Sequence, residues 1–571
     1  MKELFSRLLA RPGLTTEMIA ASLIANILAL ASPIFVMQVL NRYVAHGVQA
    51  TLLTLSAGVV IAIVLELAFR QIRMRLAASI NATSDRTIAN GAFGTLTGTK
   101  TAYIDKLSFG LRQEMIAGTE KLQAAFNAAN MASIMDVPFA LMFIGVLYLL
   151  NPAIALVVAC FVALSFLISV LTLASLRAPT LQMQVESGRR GGLVSAAVQA
   201  GDTVRVFNGS GFIRKQWQDR SAAYLRLSRK IMLRQGFVQS LGTTLQAVMG
   251  AIVISLGAVQ VVAGTMDVGV MIGANILAAR ALGPIIKFAM MSEQFAKARQ
   301  ALLMFNDFAK LPTERVDGTA LSQFSGTIEF SDMAFSHPAA KTPLFESMNL
   351  KLEPASILVF SGANGTGKTT LARMMVGLLE PTRGRILVDG VDLAQIAPEW
   401  WRKQVMYLPQ EPKFLNGTIA DNISLINPEM DHARLQELID LAGLRQFVDQ
   451  SPDGSETHIV GGGKNLSLGI RRRIALARAL AGDGRVMVID EPTEGLDAEG
   501  AQAVLEAINR ASGNGATVLI FTHDPQILKS VPHYVDLNVK PIPTLVRKPV
   551  DAAQVVGALP PSLKPQASIT S

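Results

Sequence analysis

Residues 361–370 read Ser-Gly-Ala-Asn-Gly-Thr-Gly-Lys-Thr-Thr, and they restrict the fold more than any other stretch of the chain. The core is Gly362-x-x-x-x-Gly367-Lys368-Thr369, preceded by an apolar run at 357–360 and succeeded by a helix-like run at 371–378. Strand, glycine loop and helix in that order form a phosphate cradle. The loop's N–H groups close around phosphate oxygens, and the helix N-terminus adds positive potential. Gly362, Ala363, Asn364, Gly365, Thr366, Gly367 and Thr370 are thus candidate nucleotide-binding residues. Lys368 is placed to reach the β- and γ-phosphates, and Thr369 to help hold Mg²⁺. The bland alternative, a glycine-rich turn before a helix, loses ground to a second motif downstream. Residues 485–491, Arg-Val-Met-Val-Ile-Asp-Glu, read as a buried strand ending in two carboxylates. Asp490 is then a Mg²⁺ ligand, directly or through water, and Glu491 a general base for the attacking water.

The rest of the chain asks for a membrane. Half of the 571 residues are hydrophobic, and the mean hydropathy is +0.37, well above soluble domains. A span needs roughly 20 apolar residues. Candidates fall at 18–40, 52–69, 137–150, 153–176, 237–263 and 268–288. Asn151-Pro152 breaks a double-length apolar run into a hairpin, and 264–267 make a second turn. Loops alternate short and long. Within 1–311, the long loops at 70–136 and 177–236 hold most of the Arg and Lys, from Arg70 and Arg73 to Arg234, whereas the short ones hold only Arg42. By the positive-inside rule the long loops and both termini are cytoplasmic. The net charge of +9 is thereby explained without nucleic acid, which is not expected as a partner. Within the spans, Asn26, Glu66, Asn275 and Arg280 are polar and either line a path or snorkel. The single cysteine, Cys160, allows no intrachain disulfide. The N-terminal Lys2, Arg7 and Arg11 before an apolar stretch imitate a signal peptide, but the stretch runs on through Pro33 into further spans.

The chain therefore divides into an α-helical six-span transmembrane domain at 1–311, a polar linker at 312–325 and an α/β P-loop nucleotide-binding domain at 326–540. The Pro-rich, aperiodic segment 541–571 is expected to be a disordered tail.

With these motifs assembled, the chain resembles the ATP-binding cassette (ABC) exporters over nearly its whole length. The resemblance implies ATP and Mg²⁺ as ligands. It makes Gln410, in Tyr407-Leu-Pro-Gln410, the glutamine that senses Mg²⁺. It makes His523 the switch histidine facing the γ-phosphate, and Asp497, in Glu494-Gly-Leu-Asp497, a residue communicating across a dimer. The family signature Leu-Ser-Gly-Gly-Gln reads Leu466-Ser467-Leu468-Gly469-Ile470 here, a segment that contacts nucleotide held by the other subunit. Leu468 and Ile470 depart from that pattern. So does His337, which stands where the family has an adenine-stacking tyrosine, and Gly461, where exporters often have a glutamate. Two arrangements are open: a homodimer tolerating the altered signature, or a heterodimer with a second half-transporter, including a regulatory one.

Residues 33–43, Pro-Ile-Phe-Val-Met-Gln-Val-Leu-Asn-Arg-Tyr, resemble the first hairpin of bacterial type I secretion ATPases, as do 135–139 and 275–284. That implies an inner-membrane, multi-pass protein with its nucleotide-binding domain in the cytoplasm. It also implies secreted protein cargo of the calcium-repeat kind, a periplasmic membrane-fusion adaptor and an outer-membrane channel. No peptidase-like segment precedes the first span, so leader cleavage is not expected. A lipid or small-molecule exporter shares the same architecture.

Overall fold

The computed structural model describes residues 2–547 apart from 46, 48 and 338–341. It separates into two compact units, one of residues 1–99 and 103–312, the other of 100–102 and 313 onward.

In the first unit, six helical runs among the described residues are long and apolar enough to cross a membrane: α1 (Pro12–Val44), α2 (Gln49–Gly98), α3 (Ala128–Leu150), α4 (Pro152–Gln199), α5 (Ser210–Val262) and α6 (Val268–Met290). Three of them reach 50, 48 and 53 residues. At 1.5 Å per residue each spans about 75 Å, far beyond the ~30 Å hydrocarbon layer. Much of the sequence in the long segments between the apolar stretches is thus helix continuous with the spans. The hairpin between α3 and α4 is built by Asn151. Its side chain accepts from Ala153 N at 3.0 Å and Ile154 N at 3.1 Å, while Pro152 opens the helix where no N–H is needed. At its C-terminal end α1 widens into a π-helical turn over Val39–Val44.

Apolar helices gain little from contact with one another inside lipid, so close approach has to supply the attraction. On α6, Gly269 and Gly273 face Met37 and Asn41 of α1, and a Cβ on Gly269 would lie 2.5 Å from the Met37 carbonyl oxygen. Asn41 accepts from Gly269 N at 3.0 Å. Several charges of this unit are paired. Arg7 is buried and bonds Glu3 (3.0 Å), Asp85 (2.8 Å) and Asn81 (3.2 Å). Arg73 meets Asp136 at 2.5 Å, and Asn26 donates to the same carboxylate at 3.1 Å. Glu66 pairs one turn along with Arg70 at 2.5 Å.

The second unit carries a four-stranded antiparallel sheet, in order β2-β1-β4-β5, and a six-stranded, mainly parallel sheet in order β12-β11-β3-β10-β9-β6. Their strands are β1 (Ile328–Phe335), β2 (Phe345–Leu352), β3 (Ile357–Ser361), β4 (Arg383–Val388), β5 (Val391–Asp392), β6 (Val405–Leu408), β9 (Val486–Asp490), β10 (Thr517–Thr522), β11 (His533–Asp536) and β12 (Thr544–Arg547). The short β7 (Gly417–Thr418) and β8 (His458–Ile459) pair apart from both sheets. Strands β3, β9 and β10 are buried on both faces, which is why they read as unbroken apolar runs. Two cores flank this sheet: one holds Phe330, Phe360 and Trp401, the other Ile474, Ile489 and Val504.

Two expectations need correction. Residues 313–325 group with the ATPase unit: Phe324 packs edge-on against Trp400 and Trp401, each at 5.8 Å. The domain does not stop at 540 either, because β12 pairs antiparallel with β11, from His533↔Arg547 to Asp536↔Thr544. Pro541 and Pro543 suggest an end, but an outermost strand tolerates flanking prolines. The remainder of the expected tail, 548–571, lies outside the described residues.

Gly269→Ala is expected to destabilise the helical unit by about 1–3 kcal/mol through overpacking. Gly145→Ala, at a position with nothing within 4 Å of an added Cβ, should not. Thermal unfolding of the detergent-purified protein distinguishes them.

Candidate nucleotide site

Beyond β3 the chain turns through 362–367 and enters α7 (Lys368–Met375). Gly365 (φ +83°) and Gly367 (φ +111°) occupy backbone conformations that favour glycine. At Gly367 a Cβ would also lie 2.7 Å from Leu344. Two residues that the sequence did not announce shape the loop from behind. Asn538 accepts from Ala363 N at 2.9 Å, and Lys540 donates to Thr366 O at 2.9 Å. They lie just after β11 in an irregular segment and carry no motif, so only the fold brings them there.

Lys368 is buried, with Nζ 2.5 Å from Gly362 O, 3.2 Å from Ala363 O and 3.2 Å from Glu491 Oε1. The same Glu491 oxygen lies 2.8 Å from His523 Nδ1. Its other oxygen accepts from Thr522 Oγ1 at 3.1 Å and His523 N at 3.4 Å. Burial pushes the Glu491 carboxyl upward, but the hydrogen bonds and charges of His523 and Lys368 outweigh it and hold the group below the usual carboxylate range. Glu491 has φ +53°, an uncommon conformation for a residue with a side chain.

Asp490 stands one residue away under opposite conditions. It is fully buried, and neither carboxylate oxygen has a hydrogen-bond partner. Burial drives its pKa up to about 6; Thr369, Lys368 and Arg472 offset only part of that, and the neighbouring Glu491 charge adds to it. The Thr369 hydroxyl beside it donates to Gln410 Oε1 at 3.3 Å. A carboxylate without partners, a hydroxyl and an amide oxygen form an all-oxygen donor set, which suits Mg²⁺. These are the three residues expected as ligands, and the fold brings them together.

Gln410 is oriented by Glu494. An ionised carboxylate can only accept, so the contact at 2.9 Å must come from the Gln410 amide nitrogen. The amide oxygen is thereby turned to Thr369. Buried Arg472 clamps the assembly, donating to Glu491 O at 2.6 Å and Gln410 O at 2.8 Å. Sequence reasoning took Arg472 only as part of the helix after the signature. A buried arginine on the apolar side of that helix was the available signal.

The remaining expected residues are placed less centrally. His337 is exposed and stands edge-on to Phe335, 5.2 Å between ring centres. Asn364 is exposed, and Thr370 is half-buried on α7. Ser467 caps α8 (Leu468–Leu480), accepting from Ile470 N at 3.3 Å. Leu466 and Ile470 turn inward onto the helical core. Gly461, Gly462 and Gly463 all have positive φ, so the position expected for a glutamate sits in a left-handed turn. Asp497 caps α9 (Ala498–Gly513) through Gly500 N at 2.9 Å and pairs with Arg473 at 2.6 Å.

The family model described as "ABC transporter" matches residues 345–494, and "ABC transporter transmembrane region" matches 15–285. The chain belongs to the ABC transporter family. It is 25% identical over 524 residues to the alpha-hemolysin translocation ATP-binding protein HlyB of Escherichia coli, covering 90% of this chain and 73% of that one. It is 26% identical over 532 residues to the leukotoxin export ATP-binding protein LtxB of Aggregatibacter actinomycetemcomitans, covering 91% and 74%. Its fold matches a bacterial Atm1-family ABC exporter with ATP bound, at TM-score 0.80 and 20% identity over 92% of this chain and 93% of that one. This ABC exporter is a multi-pass membrane protein that binds ATP and couples its hydrolysis to transport.

Replacing Asp490 by asparagine should stabilise the nucleotide-free protein. The folded pKa near 6 exceeds the ordinary 3.8, so ionisation is unfavourable to folding. The cost is absent below pH ~3.8, grows through pH 4–6 and is complete above, at most about 3 kcal/mol. Denaturant titrations at pH 7.5 should show a gain of about 1–3 kcal/mol for Asp490→Asn; an equal gain at pH 4 would contradict this cause.

Proposed function

We propose that this chain is the permease and ATPase of a bacterial type I protein secretion system, acting in the inner membrane with its ATPase unit in the cytoplasm. Cargo would be an RTX-like secreted protein, and partners a periplasmic adaptor and an outer-membrane channel. The observation that carries the cargo class is similarity, over about 90% of this chain and three quarters of theirs, to relatives named for toxin translocation and export, together with the hairpin-like segment 33–43. A lipid or small-molecule exporter is the second reading, which the likeness to an Atm1-family fold keeps open.

The chemistry proposed for the site derives from its geometry. Loop 362–367 and α7 bind the phosphates, and Lys368 leaves the Gly362 and Ala363 carbonyls to neutralise the β- and γ-oxygens. A γ-phosphate competes with Glu491 for both Lys368 and His523. Glu491 is thereby freed to take a proton from the attacking water, and His523 turns to the phosphate. Asp490, Thr369 and Gln410 would hold Mg²⁺, which supplies charge neutralisation on the phosphate oxygens. The segment 466–470 faces nucleotide bound to a second half-transporter, most simply another copy, and Asp497 lies at that junction. His337 lies beside the base.

Lys368→Ala should lose nucleotide binding or turnover, and Glu491→Gln should keep ATP binding while slowing hydrolysis by about a hundredfold or more. Wild-type rates in either variant would remove the assignment. Glu494→Gln should raise the Mg²⁺ concentration needed for half-maximal ATPase by about tenfold, because a neutral amide no longer dictates which end of Gln410 faces Thr369. Stimulation of ATPase in lipid by cargo C-termini, and not by lipids or drugs, would support the secretion reading; the reverse would favour the second one.

A further inference from the structure

Leu468 opens α8 directly after its cap, yet 42% of its surface remains exposed. What it touches is the loop after the catalytic strand. A Cβ on Gly495 would lie 2.6 Å from Leu468 Cδ2 and 3.3 Å from its Cγ. Gly495 also has φ +70°. Glycine is therefore required at 495 for two separate reasons: the backbone conformation, and the leucine occupying the space where a side chain would begin.

The loop that receives Leu468 is connected at every step to the candidate site. It starts at Glu491. Thr493 donates to Asp524, next to His523, at 3.0 Å. Glu494 accepts from Gln410 at 2.9 Å. The loop ends at Asp497, which pairs with Arg473 of α8 at 2.6 Å. The start of α8 and this loop are thus joined by a salt bridge on one side and by a leucine seated on a glycine on the other. Packed contacts of this kind transmit displacement, because a close-packed pair cannot yield to movement as an open gap can.

We infer that Leu468 is a positioning residue: seated on Gly495, it carries movement of the signature segment to the Glu491 loop of the same chain and so couples one nucleotide site to the other. Leucine at this position is then a matched partner of Gly495, and the altered signature is a working connection. The inference rests on the proposed reading that 466–470 faces nucleotide held by a second copy.

The test is a double-mutant cycle on the full chain in lipid with Leu468→Gly, Gly495→Ala and both together. ATPase is read as kcat, KM and Hill coefficient, and folding by thermal unfolding. The parent should show a Hill coefficient above 1. Gly495→Ala should lower kcat by about tenfold through collision with Leu468. The double variant should regain most of that loss, since the collision is removed while the left-handed strain of alanine is common to both arms. Leu468→Gly, alone and in the double variant, should bring the Hill coefficient to about 1, an effect that simple loss of packing would not produce. Independent, multiplicative effects, or an unchanged Hill coefficient in Leu468→Gly, would overturn the inference. If Gly495→Ala does not accumulate folded protein, Leu468→Ala and Leu468→Gly still decide it through the Hill coefficient. ATP-dependent dimerisation of Glu491→Gln is measured in parallel by cross-linking. No dimer would overturn both the trans reading and the inference, whereas a dimer with an additive cycle would overturn the inference alone.

Discussion

Parallel register is the constraint on which the site depends. Strand β10 lies between β3 and β9, pairing Thr522 with Ser361 on one side and Phe521 with Asp490 on the other. The three strands therefore end together, and the segments leaving them arrive at the same edge of the sheet. Those segments are the phosphate loop after β3, Glu491 after β9 and His523 after β10. The backbone tightens the junction further, with Glu491 N donating to Phe521 O at 2.8 Å. Slipping one strand by a single residue would move every side chain out of the space it fills in the two apolar cores, so the register is held by packing fit.

That edge gathers two adjacent carboxylates and treats them differently. Glu491 is surrounded by donors, Lys368, His523 and Thr522, and remains ionised. Asp490 points into the protein, where burial outweighs the nearby Thr369, Lys368 and Arg472, and binds its proton unusually firmly. Two acids of nearly equal intrinsic strength are separated by environment alone. The first suits proton transfer with its charge retained until phosphate competes for its partners. The second leaves a carboxylate whose burial is offset only when a cation reaches it, a buried ionisable group without a partner being the costly case.

Some departures from the family pattern acquire physical meaning only in three dimensions. Ile470, lacking the expected amide, packs inward against the helical core. Leu468, lacking the expected glycine's small size, sits over a glycine elsewhere in the chain. Glu494 decides which end of Gln410 faces Thr369. In the helical unit the same logic holds, since Gly269 and Gly273 gain their role from Met37 and Asn41, over 200 positions earlier in the sequence.

The sequence by itself determined the composite plan: six apolar stretches, a P-loop domain after them, and the phosphate loop, Asp490, Glu491, Gln410 and His523 as candidate residues. Local chemistry suffices for these, because apolar length sets a span and glycine spacing sets a phosphate loop. It also made Asn151-Pro152 legible as a hairpin, through capping that acts within three residues. The fold alone decided that β12 extends the sheet beyond two prolines, that Arg472, Asn538 and Lys540 support the site, and that Leu468 answers Gly495. Those features are contacts between residues distant in the chain. No periodicity or spacing encodes them, since they arise only when burial brings separate segments into register.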